Sequence, residues 1–229
     1  MILYHGSDKI IKSPAFGVGN PKNDYGLGFY CTEHLDLAKE WACSEGRDGF
    51  ANMYTLNLED LKVLDLQSDD YHILNWLAIL LAHRKFDINS PVGNSAREFI
   101  LSRFMPDTTD VDVMIGYRAD DSYFSFAEDF VNNTLSLRDL NKAMQLGSLG
   151  EQIVLLSKRA FDKIKFLEYE IADYREYYFK RAERDQAARS AYANQKKNLQ
   201  QLKDDIFVLD IIREDMTHDD PRLQSVISE

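Results

Sequence analysis

The chain has 229 residues, with 27 Lys+Arg against 38 Asp+Glu, a net charge of −11 and an apolar fraction of 45%. That length allows one large domain, or a domain plus an extension, with enough apolar material for a core. The acidic balance excludes a nucleic-acid binder that works through a diffuse basic field, while leaving room for a local basic cleft around an anionic cofactor. Two cysteines, Cys31 and Cys43, are too few for a disulfide framework and read as reduced thiols of a cytosolic protein. Met1-Ile-Leu-Tyr-His5 carries no basic segment followed by an apolar one, so no secretory signal is expected. The most apolar run, Ile73–Ala82, is too short to cross a bilayer and reads as a buried helix. The expectation is a cytoplasmic protein without a membrane anchor.

In chain order, Ile2–His5 predicts a strand cut by the turn signal Gly6-Ser-Asp. Residues 12–28 form a long loop, a length that is usually functional or disordered. A short strand follows at 28–31. Thr32 is then placed as the cap of a helix to residue 44, with Leu37, Ala38, Trp41 and Ala42 on one apolar face. Residues 53–58 and 62–66 predict a pair of strands. Two helices fill 70–105, separated by residues 87–93. A strand at 111–116 leads into Tyr117–Phe124, and helices follow at roughly 123–133 and 136–146. Residues 151–157 and 164–171 predict strands around a short turn at Ala160-Phe161. All 11 glycines lie at or before Gly150, and neither Gly nor Pro occurs between Gly150 and Pro221. The breaker-free stretch 173–204 predicts a long charged helix with an intermittent stripe of Tyr174, Tyr177, Tyr178, Ala182, Ala188, Tyr192 and Leu199. Residues 206–213 are a further apolar stretch, and the acidic tail 214–229 is expected to be loose. Short strands with separated helices indicate an α+β fold and not an alternating βαβ one.

Common nucleotide motifs are missing. Gly17-Val-Gly19 and Gly26-Leu-Gly28 build neither a Walker loop nor a Rossmann turn. The five histidines are scattered without zinc spacing, so no metal site is expected. Cys31 near His34 suggests a nucleophile and base, but a strand cysteine is more often a small buried residue. The informative pattern is the order of Tyr4-His5-Gly6-Ser7, then Asp24-Tyr-Gly-Leu-Gly-Phe-Tyr30, then a helix with Trp41, then Gly150-Glu-Gln-Ile-Val154. Each piece alone is weak; their order and spacing together are specific.

This combination resembles the ADP-ribosyltransferase superfamily, on the branch of diphtheria toxin and the poly-ADP-ribose polymerases, which carries a His-Tyr-Glu triad on three strands. His5-Gly6-Ser7 matches the first motif and Gly26-Leu-Gly-Phe-Tyr30 the second. Trp41 sits where the family places a second aromatic, and Glu151-Gln152 opens the third-motif strand. The likeness is closest to an uncharacterised bacterial branch with Gln in the third motif. On that likeness Gln152 takes the triad position; in the register of the polymerases Glu151 does, and a one-residue slip exchanges the two faces of a strand. The resemblance implies an α+β fold of two small sheets split around an NAD cleft. It assigns residues 1–172 to an NAD-binding catalytic domain with a helical insertion at about 70–105, and 173–229 to a C-terminal helical extension with an acidic tail.

The resemblance also implies site roles. His5, Tyr30 and Gln152 or Glu151 are the catalytic residues, with NAD as co-substrate and no metal. His5 would bond a ribose or the dinucleotide backbone, the Gly6 backbone would pair with the nicotinamide amide, and Ser7 would add a hydroxyl. Tyr30 and Trp41 would stack on the two faces of the nicotinamide, a flat cationic ring. Arg118 would meet a phosphate, although Arg118–Phe124 reads equally as a helix start capped by Asp120 or Asp121. Cleaving the nicotinamide–ribose bond builds positive charge that a carboxylate stabilises. A Gln supplies hydrogen bonds but no counter-charge, so transfer of single ADP-ribose units is expected, with Glu151, Asp120 or Asp121 as sources of charge.

The implied function is a mono-ADP-ribosyltransferase acting on a macromolecular acceptor, protein before nucleic acid given the acidic surface. The branch resembles toxins of toxin–antitoxin or defence systems, which implies a small antitoxin-like partner. The alternatives are an NAD glycohydrolase and an inactive NAD- or ADP-ribose-binding module.

Overall fold

The computed structural model describes residues 1–88, 90–119, 121–145, 151–197 and 204–224. The elements are β1 (Ile2–Ser7), β2 (Phe29–Cys31), α1 (Leu35–Ala42), β3 (Gly49–Leu56), β4 (Val63–Asp65), α2 (Ile73–His83), α3 (Pro91–Phe104) and β5 (Val113–Tyr117). They continue with α4 (Asp121–Val131), α5 (Leu137–Gln145), β6 (Glu151–Leu155), α6 (Lys158–Lys163), β7 (Ile164–Ala172), α7 (Tyr174–Lys197), α8 (Val208–Arg213) and α9 (Pro221–Gln224). The fold is α+β with two small sheets.

The first sheet has the order β1-β3-β7 and is antiparallel throughout. The second has the order β2-β6-β5-β4, antiparallel except for the parallel pair β4–β5. Alternation along the strands sends Leu3, Tyr54 and Leu56 of the first sheet against Phe29, Cys31, Val113, Ile153 and Leu155 of the second, and these form one buried cluster. The Phe29 ring meets Tyr54 edge-on at 5.6 Å between centroids, a favoured aromatic geometry. The other face of the first sheet carries glycines where α1 crosses it. A Cβ on Gly6 would lie 2.0 Å from the Ala38 carbonyl oxygen and 2.9 Å from the Ala42 nitrogen. Only glycine allows that approach of helix to strand.

Two local expectations change. Thr32 does not cap α1: the N-cap is His34, with no side-chain cap bond. Thr32 instead exchanges two backbone bonds with Tyr4, at 2.7 and 3.0 Å, and is fully buried. The segments expected as a strand pair at 53–58 and 62–66 do form strands, but β3 belongs to the first sheet and β4 to the second. The link between them is captured by Asp112, whose Oδ2 accepts the Lys62 amide at 2.8 Å. Burial would raise the Asp112 pKa, but the Ser157 hydroxyl, the Lys62 amide and Arg159 hold it below the usual carboxylate range.

The chain divides into two compact units, one made of residues 1–65, 108–118 and 149–187, the other of 66–107, 119–148 and 188–229. The first contains both sheets. The second is helical. There α2 starts with a capping box, His72 Nδ1 accepting from Leu74 and Asn75 Oδ1 accepting from the His72 amide. Ser90 caps α3, with Pro91 in its first turn. Residues 214–224 are not the loose tail the composition suggests: Met216 and Leu223 are buried, and His218 stacks on His72 with centroids 4.8 Å apart. Residues 225–229 and, from the expected stripe, Leu199 lie outside the described residues; on α7 Tyr177 and Ala188 are buried while Ala182 is exposed. Among the described residues no helix is long and apolar enough to cross a membrane.

Candidate functional site

The first motif leaves β1 under the control of a residue from β3. Asn52 is fully buried. Its Nδ2 donates toward the carbonyls of His5 and Lys9, each at 3.2 Å, and the Ser7 hydroxyl at 3.3 Å; its Oδ1 accepts from the Ile11 amide at 2.8 Å. One amide thus fixes the chain on both sides of Gly6. Ser7 Oγ donates to the Lys9 carbonyl, which spends its proton within the turn. The His5 ring stacks on Phe29 at 4.3 Å, and Nδ1 lies 2.7 Å from the Tyr30 carbonyl. A carbonyl only accepts, so Nδ1 carries the proton and Nε2 is left as an acceptor in the neutral ring. Burial lowers the His5 pKa, against the opposing pull of the Tyr30 carbonyl.

The second motif is a staple of backbone and tyrosines. Tyr30 Oη donates to the Gly26 carbonyl at 2.6 Å and accepts from the Tyr25 amide at 3.1 Å. Tyr25, 3% exposed, donates its own hydroxyl to the Tyr117 carbonyl at 2.5 Å. These bonds hold the loop that precedes β2 against the end of β5 and fix the orientation of the Tyr30 ring. Gly28 is required by contact: a Cβ there would come within 2.5 Å of Val154.

The third motif is resolved into faces by the strand register. Tyr30 pairs with Val154, and Gln152 pairs with Gly116. Tyr30, Val154, Gln152 and Gly116 therefore share one face of the second sheet, and Glu151, paired with Tyr117, belongs to the other. Gln152 is 7% exposed, and its Oε1 is buried without a hydrogen-bond partner among the described residues. Glu151 is half-buried; burial raises its pKa, and the neighbouring charges of Asp65 and Glu33 raise it further.

Trp41 and Arg118 meet each other. The Arg118 guanidinium carbon stands 3.7 Å from the centroid of the Trp41 ring. The indole Nε1 is buried without a hydrogen-bond partner among the described residues. Beside Trp41, the nearly inaccessible Glu40 carboxylate bonds Arg184 of α7 at 2.5 Å. Burial pushes the Glu40 pKa up, opposed by the charges of Arg184 and Arg118. Asp120 lies outside the described residues, as does the side chain of Asp121.

The structure thus brings His5 to the Tyr30 backbone, sets Tyr30 and Gln152 on one face, and joins Arg118 to Trp41. Gly6 lies under α1 and Glu151 on the opposite sheet face. Cys31 is fully buried, and burial pushes its thiol pKa far up, which removes it as a nucleophile at neutral pH. Three residues here were not singled out by the sequence: Asn52, Glu40 and Arg184. Asn52 had a signal, being a polar residue on the strand face otherwise built from Phe50, Tyr54 and Leu56. Glu40 with Arg184 had none, since their pairing joins helices 141 residues or more apart in sequence. Among the described residues no three of His, Cys, Asp or Glu are grouped as metal ligands.

Neither the curated proteins nor the solved structures compared with the chain include a match. Residues 1–166 match the family described as Protein of unknown function (DUF3990), a stretch that runs from the start of β1 into β7 and takes in all three motifs, and the chain belongs to that family.

Proposed function

We propose that the chain is an NAD-dependent mono-ADP-ribosyltransferase whose co-substrate lies on the Tyr30–Gln152 face of the second sheet. The observation that carries this reading is the state of Gln152: nearly buried, on the same sheet face as a fixed tyrosine, with an amide oxygen that no donor among the described residues satisfies. A buried acceptor without a partner costs about 1–3 kcal/mol, a cost that a donating ligand hydroxyl removes. NAD supplies hydroxyls on both riboses and an activated bond between ribose and nicotinamide, whose cleavage releases nicotinamide and hands ADP-ribose to an acceptor.

In this reading Gln152 Oε1 receives a ribose hydroxyl. Tyr30 offers its ring to the nicotinamide, pre-oriented because its hydroxyl is already tied to the loop, so little ordering cost remains for binding. His5 stays neutral through burial and presents Nε2 to a second hydroxyl. Trp41 is the further aromatic surface and Arg118 the cation for the diphosphate. Gln152 brings no negative charge, which favours transfer of single units over polymer growth. The net charge of −11 favours a protein acceptor over nucleic acid. The same reading makes the protein a toxin of a toxin–antitoxin or defence system with a small partner.

Incubation with labelled NAD and a bacterial lysate tests this, reading nicotinamide release and labelled macromolecules together. The expected result is labelled protein, lost in Gln152→Ala and retained in Glu151→Ala. Loss only with Glu151→Ala refutes the assignment of Gln152. Nicotinamide release without label identifies a glycohydrolase, and NAD binding without turnover identifies an inactive binding module.

A further inference from the structure

The indole that the proposed function gives to a flat ligand already carries a flat cation. Arg118 stands over Trp41 at 3.7 Å, whereas the other arginines over aromatic rings among the described residues are farther away: Arg84 over Phe124 at 4.9 Å, Arg181 over Tyr178 at 5.6 Å, and Arg103 over Phe99 and Arg175 over Tyr174 at 5.7 Å each. The guanidinium is also drawn by the charge of Glu40, the residue before Trp41 in α1. A guanidinium and a pyridinium are attracted to an indole face by the same ring quadrupole, and one face cannot hold both. A ligand ring that takes this face must displace Arg118 and offer its positive charge something in return.

We propose that Arg118 is a specificity-determining residue of the Trp41 site. It yields the indole only to a ligand that combines a flat ring with an anionic group within reach of the guanidinium, and so favours a phosphate-bearing pyridinium nucleotide over the bare base. The inference rests on the reading of Trp41 as a ligand-stacking ring. Its consequence is weak product inhibition, because free nicotinamide brings no anion to compensate the displaced cation.

The test is calorimetric titration of the full chain with NAD and, separately, with nicotinamide, in wild type, Arg118→Ala and Arg118→Lys. Thermal unfolding of each variant confirms an intact fold. With Arg118→Ala, affinity for NAD falls about tenfold through loss of a charge-assisted contact, while affinity for nicotinamide rises about two- to fivefold because the competing cation–π contact is gone. Arg118→Lys restores NAD binding most of the way. Opposite signs for the two ligands are the signature of competition for the ring. If Arg118→Ala weakens both ligands alike, or changes neither, the proposed role of Arg118 is overturned while the NAD site stands. If wild type binds neither ligand, the reading of the site fails and this inference fails with it.

Discussion

Replacing Gln152 by methionine separates stability from ligand chemistry at the third motif. Gln152 is 7% exposed, and its Oε1 has no donor among the described residues. Methionine keeps the unbranched length and most of the volume, so the packing against Val154 and Gly116 on the same face changes little. What is lost is an amide whose buried acceptor costs about 1–3 kcal/mol when unsatisfied. Gln152→Met is therefore expected to stabilise the ligand-free protein by about 1–3 kcal/mol, a rise of about 2–4 °C in melting temperature for each kcal/mol at this chain length. The same variant is expected to lose the stabilisation that NAD confers on wild type under the proposed function. Thermal and urea unfolding, with and without NAD, read both effects. A variant less stable than wild type refutes the reasoning, because the amide then has a partner in the folded protein and is not waiting for one.

Other substitutions and conditions probe the rest of the structure. Gly6→Ala puts a Cβ 2.0 Å from the Ala38 carbonyl oxygen, so α1 must shift, and a loss of about 1–3 kcal/mol or more appears in urea unfolding; an unchanged midpoint contradicts the packing of α1 on β1. His72 has its pKa lowered to about 4 by burial and by the charge of His218. The unfolded chain therefore takes up a proton near pH 6.5 that the folded chain refuses until near pH 4, so stability falls as pH drops through that window, by about 2 kcal/mol between pH 7.5 and 5. Urea midpoints against pH measure this, with His72→Asn flattening the profile. Cys31 and Cys43 are buried, with pKa values raised chiefly by burial, so neither thiol reacts with Ellman's reagent at pH 8 until the protein unfolds; fast labelling of either refutes that burial.

Much of the fold was legible where the signal is local. The patterns at 2–5, 151–157 and 164–171 marked strands, and the apolar spacing of Leu37, Ala38, Trp41 and Ala42 marked α1, because these patterns are set by neighbours within a few residues; the turn expected from Gly6 is instead the continuation of β1 through Ser7. Pairing was not legible. Residues 53–58 and 62–66 read as a pair of strands, yet the link is claimed by Asp112, about 50 residues away, and the two strands enter different sheets. Thr32 carried a cap residue's identity, but its backbone was worth more in the bridge to Tyr4. The order around 214–224 rests on Met216 and Leu223, two apolar residues in an acidic stretch with too little periodicity to register. At the site, the motif residues were visible as types. Their arrangement was not: whether Gln152 or Glu151 shares a face with Tyr30 depends on a register set across the sheet, and the contact of Arg118 with Trp41 joins a strand end to a helix 77 residues earlier in the sequence.

The parallel pairing of β4 with β5 carries an obligation for the chain. Two parallel neighbours cannot be joined by a tight turn; the backbone must leave at one end of the sheet and come back to the other, which takes a dozen residues or more. Here that return path is residues 66–112, with α2 and α3 on it. The helical stretch between the strands is thus a route before it is an ornament. A shortened relative can trim it, but to keep β4 in place it must keep a crossover, and a relative that has lost the crossover will have given up the β4 edge of the sheet as well.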